Sequence, residues 1–225
     1  MNKALKLVLA LTAMLAAGCG EGALAPSSQA PDTNLIGGGS NAALTGNDTV
    51  RFTFDIDPNR AKTFSLGAGN SISFPAHAVC DTKSSYGPAE WDKPCVAETS
   101  PLTITAKAWL DKTGHPRLDF KPSVRFVPSS NPAAWVMLTF ADTKASQDPF
   151  FNILYCANAN DKKCVDESNT DASMATLRDP FSGRVYRRVK HFSGYIVNTG
   201  DSCDDGSCES AGGFSRIGTG VSGHE

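Results

Sequence analysis

From Thr49 onward the chain is a succession of short runs in which apolar and polar side chains alternate, and this pattern constrains its fold more than any other feature. TVRFTFDI, TFSLGAGNSISF, LTITAKAWL, RLDFKPSVRFV, AWVMLTF, FNILYC, GRVYRRVKHF and GYIV change character nearly every residue, the period of a pleated strand with one side against a core. Between the runs stand Pro75, Pro88, Pro94, Pro101, Pro116, Pro128, Pro132, Pro149 and Pro180, which cannot donate to a ladder and so mark turns and strand ends. Strands punctuated in this way predict an all-β fold, a single antiparallel β-sandwich over residues 49–200. Only DASMATLRD reads as a helical turn. Trp109 and Trp135 lie in the runs and are expected in the core. A domain of this length buries roughly two thirds of the surface of its unfolded chain, so its core does not depend on disulfides.

The first residues are organised differently. MNKALKLVLALTAMLAAGCG places Lys3 and Lys6 ahead of an apolar stretch from Leu7 to Ala17 and then small residues, the grammar of a secretory signal over residues 1–18. Leu15, Ala16, Ala17, Gly18 and Cys19 resemble the lipobox of bacterial lipoproteins, with Ala16 where the commonest form has Leu. That resemblance implies cleavage before Cys19 and acylation of its thiol. Each buried methylene contributes about 0.8 kcal/mol, and two chains already anchor stably, so the expected membrane partner is reached through lipid. Gly20 in place of an aspartate implies the outer rather than the inner membrane of a bacterial envelope. After Cys19, residues up to 48 are rich in Gly, Ala, Ser, Pro and Asn without periodicity, the composition of a flexible tether. With 21 basic against 23 acidic residues, the chain lacks the basic excess of a nucleic-acid binder, and no nucleic-acid partner is expected.

Seven cysteines fit an oxidising compartment. Setting Cys19 aside for lipid leaves six. Short loops cost least entropy to close, so the expected bridges are Cys80–Cys95, Cys156–Cys164 and Cys203–Cys208. His77, His115, His191 and His224 stand at no ligand spacing and no CxxC pair occurs, so no metal and no cofactor are expected. CDTKSSYGPAEWDKPC, between Cys80 and Cys95, has turn residues and no alternation. It reads as a stapled surface loop on which Tyr86 and Trp91 are binding-loop candidates, since ordering a loop beforehand lowers the entropic cost of recognition; alternatively, Trp91 folds back over the edge of the sandwich. Arg184, Arg187, Arg188 and Lys190 form the densest basic run, expected on a solvated outer face or protecting an edge. Residues 201–225 form a polar, glycine-rich tail. Asp201, Asp204, Asp205 and Glu209 in it do not match the spacing of an EF-hand loop.

SISFPAHAV, SPLTITAKAW, LDFKPSVRFV, AWVMLTFAD and VKHFSGYIV, in that order, resemble the ZU5-type β-sandwich, especially the ZU5-like domains of bacterial envelope lipoproteins. The resemblance spans residues 60 to 197. The family usually carries a Pro-x-Gly-Ala turn, whereas Pro75, Ala76, His77 and Ala78 put histidine at the glycine position; if the turn needs positive φ, His77 is strained. The resemblance also draws out His191, Phe192 and Ser193, because some ZU5-containing proteins cleave themselves between the last two residues of a His-Phe-Ser tripeptide. The chemistry is intelligible from the side chains: a serine hydroxyl attacks the preceding carbonyl, a histidine takes its proton, and water hydrolyses the resulting ester. Gly194 is expected to permit a distorted backbone there. Alternatively, Val189, His191, Ser193 and Tyr195 form one side of an ordinary last strand, with Phe192 and Ile196 on the other.

Two functional expectations follow. One is a lipid-anchored envelope protein whose sandwich serves as a binding or structural interaction module, without turnover of a separate substrate. The other is a module that cuts itself once between Phe192 and Ser193. A hydrolase acting on envelope polymers lacks a convincing carboxylate pair, and there is no G-x-S-x-G, HExxH or phosphate-binding glycine loop.

Overall fold

Alternation in VRFTFDI becomes the first strand, β1 (Val50–Ile56), with Phe52, Phe54 and Ile56 turned inward and Arg51, Thr53 and Asp55 turned out. The structure, a computed structural model, describes Leu44, residues 49–157 and residues 164–198. Ten further strands follow among these residues: β2 (Lys62–Ser65), β3 (Ser71–Phe74), β4 (Leu102–Leu110), β5 (Pro116–Lys121), β6 (Val136–Ala141), β7 (Asn152–Cys156), β8 (Cys164–Val165), β9 (Leu177–Asp179), β10 (Arg184–Val189) and β11 (Gly194–Asn198). They form two antiparallel sheets, in the orders β1-β4-β5-β11-β7-β8 and β2-β3-β6-β10-β9, packed as a sandwich. The expected all-β architecture is therefore present. The signal, Cys19, the tail, Cys203–Cys208 and the tether except Leu44 lie outside the described residues; Leu44 itself is buried in the core.

Side-chain size sets the register where the core is widest. Phe52 and Phe54 on β1 lie opposite Ala106 and Ile104 on β4, so large rings meet smaller neighbours and the layers interdigitate. Phe54 stacks across the sandwich on Phe64 of β2 at 4.2 Å. Phe64 meets Phe74 edge-on at 5.9 Å, and Phe74 in turn meets Phe192 at 5.8 Å. Phe192 also stacks on Phe120 of β5 at 4.6 Å and touches Phe126 at 5.1 Å. It is fully buried, at the meeting point of the two sheets' aromatic side chains.

Several local expectations need correction. The segment read as one last strand is two: β10 belongs to the five-stranded sheet, β11 to the six-stranded sheet, and the chain crosses between them at residues 190–193. Gly194 opens β11 and is not among the glycines with positive φ. Trp109 and Trp135 are only half-buried. Trp109 carries Arg117 over its ring at 6.0 Å and Trp135 carries Arg188 at 4.5 Å. DASMATLRD does contain a helical turn at Ala172–Met174, but it runs on into β9. A short helix not anticipated, α1 (Thr143–Gln147), starts because the Asp142 carboxylate accepts from the Ala145 backbone N–H at 2.9 Å. Its other oxygen holds His115 Nδ1 at 2.5 Å. His77 takes φ 59°, in the left-handed region.

Candidate functional site

His191, Phe192 and Ser193 occupy the crossover from β10 to β11, and backbone hydrogen bonds tie this crossover to residues 120–126. Phe192 N–H donates to Val124 O at 2.7 Å, Phe126 N–H to Lys190 O at 2.8 Å, and Phe120 N–H to Ser193 O at 3.2 Å. Phe192 is inserted into the core, while His191 projects toward Tyr155 and Tyr195. The far side of the imidazole is covered by the loop between Cys80 and Cys95. All three residues are consequently buried, and the segment has two covered sides rather than one.

The loop is the least anticipated part of the arrangement. Its disulfide is present, as is Cys156–Cys164 between β7 and β8. The loop folds inward. Trp91 is 8% exposed and stacks on the His191 ring at 3.8 Å, so the fold-back alternative describes it better than an exposed tip. Tyr86 keeps 39% of its surface exposed, but its hydroxyl donates to Phe192 O at 2.5 Å and lies 3.3 Å from His191 Nδ1. Sequence reasoning treated the binding-loop candidates and the tripeptide as separate features, and folding places them in one site.

Buried Arg125 holds the loop down. Its guanidinium donates to the carbonyls of Glu90 at 2.8 Å, Lys93 at 2.5 Å and Pro94 at 3.2 Å. Lys190 adds a second clamp, pairing with Asp92 of the loop and with Asp171 at 2.6 Å. Burial works against the Asp171 carboxylate, but the hydrogen bonds and charge of Lys190, together with bonds from Ser173, outweigh it and hold its pKa down to about 2. The basic run is thus not a solvated face: Arg187, Arg188 and Lys190 are all buried and Arg184 alone of the four is exposed.

Arg187 and Glu167 went unrecognised as site residues. Arg187 is fully buried, donates to Ile153 O at 2.5 Å and pairs with Glu167 Oε2 at 2.5 Å. The other Glu167 oxygen meets His191 Nε2 at 3.0 Å. A carboxylate can only accept, so Nε2 carries the proton and Nδ1 presents its lone pair toward Tyr86. Burial lowers the His191 pKa and the nearby Arg187 charge adds to this; the Glu167 hydrogen bond and charge oppose them without restoring the usual value. The neutral, proton-accepting imidazole is therefore favoured. Burial pushes the Tyr86 phenol well above its ordinary value, so it remains a donor at neutral pH. Tyr195, likewise raised by burial, donates to His191 O at 2.6 Å. A signal for Arg187 was present, since it alternates with Val185 and Val189 in RVYRRV; Glu167, in an aperiodic loop, offered none.

Ser193 Oγ donates to Cys156 O at 2.8 Å. The His191 ring nitrogens face Glu167 and Tyr86, and Tyr86 donates to the carbonyl that precedes Ser193, so histidine and serine share Tyr86 and the Phe192 carbonyl as neighbours. The site thus brings together a serine hydroxyl, an adjoining carbonyl already accepting a hydrogen bond, and a carboxylate-aligned imidazole, groups of the kinds that acyl transfer uses. Among the described residues, no group of three His, Cys, Asp or Glu side chains is placed to hold a metal ion, and no helix is long and apolar enough to cross a membrane. No known protein family, curated protein or solved structure matches the chain.

Proposed function

We propose that this protein is a lipid-anchored envelope sandwich that cuts its own chain once, between Phe192 and Ser193. Ser193 is the nucleophile, His191 the base, and buried Phe192 fixes the scissile carbonyl. The observation that carries this reading is the alignment of a buried neutral imidazole by Glu167 at 3.0 Å, one residue from the scissile bond. Such alignment by a carboxylate is how acyl-transfer sites set the tautomer of their base. Lipid attachment at Cys19 rests on the lipobox resemblance alone.

The test is the intact mass of the purified full chain beside a Ser193→Ala variant. Neither described disulfide spans the bond, so a cleaved chain separates on denaturation into a large fragment and a peptide beginning at Ser193. That peptide is expected from the wild type and not from the variant. A single intact chain in both sinks the proposal. The hydrogen bond from Ser193 Oγ to Cys156 O favours a second reading, in which the same network is a static brace and the sandwich serves as a binding or structural module; intact wild-type protein is its expected result.

A further inference from the structure

We propose that Tyr86, carried by the disulfide-closed loop, is a catalytic residue of this cleavage: it stabilises the Phe192 oxyanion and relays the serine proton to His191. The proposal rests on the self-cleavage reading above. Two contacts at one oxygen support it. The Tyr86 hydroxyl donates to Phe192 O, the carbonyl that precedes Ser193, at 2.5 Å and lies 3.3 Å from His191 Nδ1.

The steps balance as follows. Ser193 Oγ bonds to the Phe192 carbonyl carbon, and the C=O π electrons move onto the oxygen. The serine proton passes to the Tyr86 oxygen as the Tyr86 proton passes to Nδ1 of His191. Tyr86 is neutral again with its hydroxyl beside the oxyanion, and the imidazolium faces Glu167. The Tyr86 oxygen is already placed at that carbonyl, and the proton it receives from serine is the one it donates to the developing charge. When the C–N bond breaks, the proton returns through Tyr86 to the departing Ser193 nitrogen, leaving a free amine and an ester from Phe192 to the Ser193 side chain. Water then splits the ester into the Phe192 carboxylate and the serine hydroxyl.

Tyr86 belongs to neither sheet. Its position depends on the Cys80–Cys95 bridge, the Arg125 bonds to the loop carbonyls, and the seating of Trp91 on His191. Cleavage therefore requires the closed loop, and it becomes an event that follows oxidation of the chain.

The full chain, purified without reductant, is compared with Tyr86→Phe, Ser193→Ala and the double variant Cys80→Ser/Cys95→Ser. Intact mass is followed in time at neutral pH, and near-UV circular dichroism establishes folding. Tyr86→Phe is expected to slow appearance of the Ser193 peptide by roughly 10²–10³-fold, the loss typical of an oxyanion donor. Hydroxylamine is not expected to restore it, since hydroxylamine attacks the ester that forms only after the step Tyr86 serves. The double variant is expected to be slowed likewise. Cleavage of Tyr86→Phe at the wild-type rate overturns the role of Tyr86 and leaves the self-cleavage reading standing. Undiminished cleavage of the double variant overturns it even if Tyr86→Phe fails to fold. Wild-type protein that stays intact overturns both readings.

Discussion

His191 shows how one buried residue couples charge, stability and chemistry. Its pKa lies below the usual value because burial disfavours the imidazolium. As pH falls below the unfolded value of about 6.5, the unfolded chain takes up a proton that the folded chain refuses. The His191 contribution is therefore fully present above that value and is lost as pH falls toward the depressed folded pKa. The expected outcome is a urea midpoint that drops between about pH 7.5 and about pH 5.5 more steeply in wild type than in His191→Gln, which cannot titrate. Parallel slopes for the two proteins would contradict the assignment. The groups facing His191 are Glu167, Arg187, Tyr86, Tyr155 and Tyr195. A glutamine retains a donor for Glu167, so Arg187 and Glu167 are not left as a broken buried network, which is among the costly outcomes of core substitution.

At the scale of elements, the loop from Cys80 to Cys95 has almost no regular structure, only a single helical turn at Pro88–Glu90, and side chains hold it in place. Arg125 satisfies three of its carbonyls at once, and hydrogen bonds to a charged donor are each worth about 1.5–3 kcal/mol. Arg125→Ala is expected to destabilise the fold by about 2 kcal/mol and to loosen the loop with its disulfide still closed. Trp91 then leaves the His191 ring, and acrylamide quenching of tryptophan fluorescence rises. Unchanged quenching would show that the bridge and the Lys190 clamp suffice. The loop was legible from its cysteines and turn residues, but its direction was not. An aperiodic segment has no inward and outward faces to read, and the partners that draw it in, Arg125 and Lys190, lie far along the chain.

Across the whole molecule, the crossover decides what a cut at Phe192 does. β11 sits between β5 and β7 and is hydrogen-bonded on both sides. Tyr195, Ile196 and Val197 on it are buried, each worth roughly 1.5–3 kcal/mol. A chain cut before Ser193 is thus expected to remain one particle in size-exclusion chromatography under native conditions and to release its C-terminal piece in concentrated urea without reductant. Loss of the piece under native conditions would contradict the sheet order.

The sequence by itself determined the local features. Period-two alternation placed most of the strands, the prolines placed their ends, and the shortest cysteine separations placed the two described disulfides, because each of these depends on residues close together in the chain. The sequence also singled out His191, Phe192 and Ser193 together with Tyr86 and Trp91. Only the tertiary structure decided that β10 and β11 belong to different sheets, that the basic run is buried, and that a loop about 100 residues earlier closes over the tripeptide. Those outcomes depend on pairings between distant segments: Arg187 with Glu167, Arg125 with the loop carbonyls, and Tyr86 with Phe192. Such pairings leave no periodicity behind, and side-chain character alone does not name the partner.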